Sequence, residues 1–98
     1  MMENREYLNN LFDIYKELLT ETEQDTFINY YVEDLSLSEI AENRGISKSA
    51  VGKTLTLAEE KLNNYEKVLN ILKSKESLKS ILEVEDIEVI KQTIKNIL

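Results

Sequence analysis

The side chains able to do chemistry in this 98-residue chain are carboxylates and amines: nineteen Asp or Glu against ten Lys and two Arg, with no His and no Cys. Without His the usual neutral-pH proton shuttle and the commonest metal ligand are both missing. Without Cys there is no thiolate nucleophile, thiolate metal site or disulfide. Gly45 and Gly52 are the only glycines, so no Gly-rich loop can cradle a phosphate. The plentiful carboxylates are not paired with any nucleophile. A site of Asp, Glu and Lys alone is the one enzymatic option left. The expectation is a protein that is not an enzyme, with no cofactor, no metal and no evident small-molecule ligand.

The spacing does offer a contact surface. Arg44, Ser47, Lys48, Ser49, Gly52 and Lys53 fall within ten residues. If Ser47 caps a helix, Lys48, Ser49 and Lys53 lie on its first turns, where a recognition helix meets the major groove. Lys48 and Lys53 could meet phosphate or guanine, Ser49 a base edge, and Ser47 a phosphate at the helix start. Gly52 would allow close approach without readout. With Arg44 these form the candidate nucleic-acid-binding set. It is thin equipment, because Arg is the main reader of guanine.

Charge sharpens the choice of partner. The net charge is −7, whereas a free-standing nucleic-acid-binding domain is usually basic. Residues 1–43 carry two positive and eleven negative charges, residues 44–62 four positive and two negative, and residues 63–98 six of each. The only net-positive block starts at the candidate contact set. The acidic first half (Glu3, Glu6, Asp13, Glu17, Glu21, Glu23, Asp25, Glu33 and Asp34) could meet a basic partner, although acidic helix faces also serve solubility alone.

The elements that position these residues should be helices. There is no Pro, and the apolar fraction is 42%, enough for one modest core. Tyr7, Leu8, Leu11, Phe12, Ile14, Tyr15, Leu18 and Leu19 mark a first helix from about Glu3 to Leu19. Thr20 and Glu23 have capping-box spacing for a second, with no Gly cap to end it near Glu33 and Asp34. Ser36 or Ser38 can cap a third, which Gly45 stops. Ser47 starts a fourth, whose apolar positions Val51, Leu55, Ala58, Leu62, Tyr65, Leu69 and Leu72 step by four and three as a heptad seam. An unbroken helix from Lys48 to about Ser74 would be roughly 40 Å long. Ser74–Ser77 is the expected break. A short helix with Leu78, Ile81 and Leu82 follows, then a last one from about Asp86 with Ile87, Ile90, Ile94, Ile97 and Leu98. Aromatics at helical spacing in the first half read as core and not as a base-stacking platform.

The segment Leu37-Ser-Glu-Ile-Ala-Glu-Asn-Arg-Gly-Ile-Ser-Lys-Ser-Ala-Val51 is a helix-turn-helix pattern: small Ala41 at the crossing, Gly45 at the turn, Ile40, Ile46 and Val51 as wedge, Ser47 as cap. It resembles the fourth conserved region of bacterial sigma factors, with Arg44 in a slot usually apolar and an apolar residue delayed from Thr54 to Leu55. A wider match runs from Asn9-Asn10-Leu11-Phe12-Asp13-Ile14-Tyr15 through Tyr30-Tyr31-x-x-Asp34-Leu35-Ser36-Leu37 to Tyr65-Glu66. Over roughly residues 7–70 the chain resembles the YlxM-like family of small bacterial helix-turn-helix proteins. That resemblance implies a regulatory role near the signal recognition particle pathway, with the particle's protein or its receptor as partner, and no enzyme activity.

The expected architecture is all-α: a sigma region-four-type helix-turn-helix at about residues 37–56 within a helical domain of residues 1–73, whose long recognition helix continues into a C-terminal helical extension, residues 74–98. Two functional readings stand. One is an accessory protein acting through protein or ribonucleoprotein contacts; the other is a sequence-specific DNA-binding regulator. The seam and the apolar last helix predict a homodimer through Leu62, Tyr65, Leu69, Leu72, Ile90 and Ile94, with an intramolecular hairpin as the alternative. The polar, acidic N-terminus and the lack of an apolar run of ~18–20 residues point away from a signal peptide or membrane span and toward the cytoplasm.

Overall fold

The computed structural model describes residues 2–98, and every regular element among them is helical. The order is α1 (Met2–Tyr15), a 3-10 turn (Lys16–Leu18), α2 (Glu21–Phe27) running into a π-helical stretch (Ile28–Val32), α3 (Leu37–Arg44), α4 (Lys48–Leu69), α5 (Ile71–Ile81) and α6 (Ile87–Ile97).

Local chemistry sets most of these ends. The Thr20 hydroxyl accepts from Glu23 N–H while the Glu23 carboxylate accepts from Thr20 N–H, a complete capping box at the start of α2. Ser36 and Glu39 build the same box at α3. Asp86 caps α6 by accepting from Glu88 and Val89 N–H. The end of α2 has no glycine. There the chain widens into the π-stretch, and Asp34 takes a left-handed φ of 62°. Arg5 holds that corner from α1, donating to the Tyr31 carbonyl at 2.8 Å and to the Asp34 carboxylate at 3.0 Å.

The main core joins α1, α2 and α4. Leu11, Phe12, Tyr15, Phe27, Ala58 and Leu62 are buried in it, and Phe12 and Phe27 stack with centroids 4.3 Å apart. A second cluster of Ile40, Ala41 and Val51, with Tyr30, Leu35 and Leu37 packed on it, locks α3 against α4. So the heptad seam of α4 is spent inside the chain as far as Leu62.

The fourth helix is shorter than its apolar spacing predicts. It ends at Leu69, where Asn70 adopts φ 56° and ψ 31°, and α5 begins at Ile71. The expected break at Ser74–Ser77 instead lies inside α5, as does the expected division between residues 73 and 74. The reason is a buried anchor. Glu66, on the last turns of α4, accepts from Leu72 N–H at 3.0 Å and Lys73 N–H at 3.1 Å, capping α5 with a carboxylate from the preceding helix. Tyr15 donates its hydroxyl to the same carboxylate at 2.7 Å and accepts from Ile71 N–H at 3.2 Å.

Beyond that anchor, α5 touches α1 through Leu72, and α6 packs chiefly on α5. The molecule measures 58 × 22 × 18 Å with a radius of gyration of 17.3 Å. A compact chain of this length would have about 13 Å, so the α5–α6 hairpin extends the long axis. None of the described helices is long and apolar enough to cross a membrane.

Candidate nucleic-acid and protein interface

The helix-turn-helix is built as its residues require. Gly45 ends α3 at φ 66°, a left-handed position where side chains are strained, and Ile46 N–H returns to the Ala41 carbonyl at 3.1 Å. Ser47 caps α4 by accepting from Ala50 N–H at 3.0 Å. Ile40, Ala41 and Val51 close the wedge, and Leu55 is buried one step after Thr54, which bonds back to the Ala50 carbonyl. Ile46 does not join the wedge; it sits on the turn and is exposed.

The proposed contact residues divide into two groups. Ser47, Lys48, Ser49 and Lys53 are all exposed on the first turns of α4, and Gly52 is half-exposed with open space where a Cβ would stand. Arg44 faces the other way. Its guanidinium donates to the hydroxyl of Thr26, a fully buried residue of α2, at 2.6 Å. Thr26 in turn donates to the Thr22 carbonyl. The polar residue in a slot usually apolar is thus bound to a polar partner beneath it.

The exposed stripe of α4 continues at helical spacing from Ser49 and Lys53 to Thr56, Leu57 and Glu60. A lysine pair therefore gives way within two turns to an exposed leucine and a carboxylate. Glu39 and Glu42 lie exposed on α3 beside this helix. Glu39 is held below the usual carboxylate range by the backbone N–H and hydroxyl of Ser36.

The acidic first half is less free than its sequence suggests. Glu23 is buried and paired with Lys61 of α4 at 2.8 Å. Burial opposes its charge, but Lys61 and the Thr20 contacts overcome that and hold its pKa down. Asp34 is engaged by Arg5. Glu6, Asp13, Glu17, Glu21, Asp25 and Glu33 are exposed; the side chain of Glu3 lies outside the described residues.

Of the expected dimer-contact residues, Leu62 and Leu72 are in the chain's own core, covered by α1. They cannot meet a second copy without opening the fold. Tyr65 is half-buried against that core and donates to the Leu18 carbonyl at 3.1 Å. Leu69 and Ile94 are exposed and Ile90 half-exposed. Two polar nodes lie outside the set of residues that the sequence singles out. One is Tyr15–Glu66; the other is Tyr31, which donates to Glu59 at 2.7 Å under the Arg5 guanidinium. The only sequence signal for either was a carboxylate placed one turn from an apolar seam position.

Comparison with known proteins agrees with this frame. A family model described as "UPF0122: Putative helix-turn-helix protein, YlxM / p13 like" matches residues 2–98. The chain belongs to this family. A UPF0122 protein of Desulforamulus reducens is 46% identical over 78 residues, covering 79% of this chain and 67% of the relative. One from Listeria welshimeri is 42% identical over 89 residues, covering 87% and 80%. One from Mycoplasma capricolum is 42% identical over 82 residues, covering 84% and 73%. The match reaches the α5–α6 hairpin, beyond residues 7–70.

Proposed function

We propose that this UPF0122 protein is an accessory, regulatory helix-turn-helix protein that works by contact with a protein or ribonucleoprotein partner. The observation that carries this reading is the make-up of the recognition helix. Its arginine neighbour, Arg44, is tied to Thr26, and its outer stripe holds two lysines followed by an exposed leucine and a glutamate. Two exposed lysines release too few counterions for strong phosphate binding, since each contact contributes about one unit to the salt slope. A stripe of Lys, Leu and Glu suits a protein surface, where one apolar contact is rimmed by polar groups.

The signal recognition particle's protein or its receptor is the partner that the YlxM-like resemblance supports. Nine exposed carboxylates in the first half, of which Asp34 is paired with Arg5, fit a basic partner surface. We place the chain in the cytoplasm on the same grounds, acting as a homodimer and without enzymatic activity.

The test is binding of the purified chain to the purified targeting-particle protein and to its receptor. Binding weakened by Leu57→Asp supports the reading. Failure to bind either component, together with a clear shift of DNA at physiological salt, overturns it.

The DNA reading keeps one favourable observation: Ser47, Lys48, Ser49 and Lys53 are all presented at an intact, capped helix start. Gel shifts against the DNA upstream of its own gene, at low and physiological salt, decide it. Loss of a specific shift on Lys48→Ala or Lys53→Ala supports DNA recognition, and no shift at either salt ends it.

A further inference from the structure

The α5–α6 hairpin carries an apolar face that no other element covers among the described residues. None of the side chains of α6 is fully buried, although it holds four isoleucines and a valine. An isolated helix of eleven residues is marginal in water, so α6 needs more than its contact with α5.

Helical geometry locates the face. At 3.6 residues per turn, the half-buried residues Ser74, Ser77 and Ile81 of α5 and Ile90, Thr93 and Ile97 of α6 share the sides on which the two helices meet. Ile71, Leu78 and Leu82 lie about a quarter turn from that side on α5. Ile87, Ile94 and Leu98 lie about a quarter turn from it on α6. Because the helices run antiparallel, both rotations bring the stripes to the same face of the hairpin. All six residues are exposed, with Ile87 at 65%, Leu82 at 85% and Leu98 at 97%. Contiguous apolar surface of this kind marks an interaction site.

Charge selects the occupant. Lys75 and Lys79 border the face along α5, and Lys91 and Lys95 border it along α6, while Glu83, Glu85, Asp86 and Glu88 gather at the turn. The hairpin is therefore acidic at its turn and basic along its helices. Residues 63–98 carry no net charge, unlike the first half with its eleven negative against two positive groups. Two copies meeting through this segment bring together no net charge, whereas two copies meeting through their first halves would set like charge against like.

Two-fold symmetry allows two ways to lay one face on another. With the turns together, α5 covers the partner's α6, and Lys75 and Lys79 meet the partner's Lys95 and Lys91. With the turns opposed, each α6 covers the other α6, and Glu88 meets the partner's Lys95. Each arrangement also holds the converse kind of pair: the second sets Lys75 beside the partner's Lys79, and the first sets Glu88 beside the partner's Lys79. What separates them is the turns: the first stacks the two acidic turns on each other, and the second lays each over the Lys95 end of the partner.

We propose that the α5–α6 hairpin is a self-docking surface, on which a second copy of this chain packs in antiparallel order through Ile71, Leu78, Leu82, Ile87, Ile94 and Leu98. It rests on the chain pairing with itself and not on what the helix-turn-helix binds. The arrangement is isologous and closes at two copies. It leaves the recognition helices, at the other end of the long axis, free for other partners.

The test is light scattering of the full chain at tens of micromolar. The expected mass is twice 11.4 kDa, falling to the monomer value in Leu78→Asp/Ile94→Asp with the α1–α4 melting transition retained. Glu88→Lys and Lys95→Glu touch no core residue, so neither should unfold the chain. Each alone should raise the dimer dissociation constant several-fold, and the double swap should restore it. A dimer that survives Leu78→Asp/Ile94→Asp overturns the surface, and a swap that fails to restore pairing overturns the antiparallel order. A monomeric wild type overturns the proposal, whether it stays in solution or floats with phosphatidylserine vesicles. None of these outcomes depends on targeting-particle or DNA binding, which are read separately on the same variants.

Discussion

The hydroxyl of Tyr15 donates to the carboxylate of Glu66 across 51 residues of sequence, and between them they satisfy the first backbone N–H groups of α5. One helix break, one helix cap and the junction between the N-terminal core and the C-terminal hairpin therefore share a single buried node. Glu66 keeps its charge there. Burial pushes its pKa up, but the Tyr15 hydroxyl and the N–H groups of Leu72, Lys73 and Ile71 outweigh this and leave it below the ordinary value.

Removing either partner should loosen the junction. Tyr15→Phe leaves Ile71 N–H without its acceptor and Glu66 without its hydroxyl donor, a loss of about 1–2 kcal/mol. Glu66→Ala strips the cap from α5 as well and should cost about 2–3 kcal/mol. Glu66→Gln, which still accepts one bond, should fall between wild type and alanine. Urea melts of the four proteins check the order. The double variant Tyr15→Phe/Glu66→Ala should lose less than the sum of the singles, because they share one bond.

The same node sets a pH response. Glu66 and Glu23 both have folded pKa values below their ordinary 4.5. Their contribution is complete above about pH 4.5 and is lost as pH falls through the lower folded values. Tyr15 and Tyr31 are raised above 10.0, by burial first and then by Glu66 and Glu59. Their contribution is complete below pH 10 and is lost as pH rises above it. The melting temperature should therefore be flat between these limits and fall on both sides. Glu66→Gln should show a shallower acid limb, and Tyr31→Phe a shallower alkaline one.

Much of this fold is legible in the residues. Thr20–Glu23, Ser36–Glu39, Gly45, Ser47 and Asp86 act where they stand, because capping and left-handed turns depend on neighbours within one helical turn. The break at Asn70 was hidden for the opposite reason. The apolar step from Leu69 to Leu72 keeps helical spacing across it, and the residue that compensates for the break, Tyr15, lies on α1. Leu62 and Leu72 read as interface residues because a seam does not say which helix will cover it. Arg44 read as a contact residue because its partner Thr26 lies on another helix, 18 residues away.

Gly45 and Asn70 both occupy left-handed backbone, at φ 66° and 56°. A Cβ at Gly45 would meet nothing within 4 Å, so Gly45→Ala should cost only the backbone strain of about 1–2 kcal/mol. Gly45→Asn should cost less, since Asn tolerates this region. Asn70→Gly should be close to neutral, and Asn70→Ala should resemble Gly45→Ala. For a chain of this length about 1 kcal/mol shifts the melting temperature by roughly 4–8 °C, so thermal scans resolve the set. A tolerated Asn70→Ala would mean that α4 runs through into α5 without a left-handed break.

Arg44 separates structural from contact roles within the helix-turn-helix. Its guanidinium lies on Thr26, which has no exposed surface of its own, so truncation removes a bond that ties α3 to α2. Arg44→Ala should lower stability by about 1–2 kcal/mol. Binding to any partner, measured well below the melting temperature, should stay within twofold of wild type. Lys48→Ala and Lys53→Ala should do the reverse: both lysines are exposed and neither enters an ion pair among the described residues, so stability should change by less than about 0.5 kcal/mol. If either lysine meets the partner, its removal weakens binding and reduces the salt dependence. A loss of binding in Arg44→Ala with stability unchanged would show that the arginine leaves Thr26 to reach the partner. That result would return the arginine to the contact face and strengthen the DNA reading at the expense of the protein one.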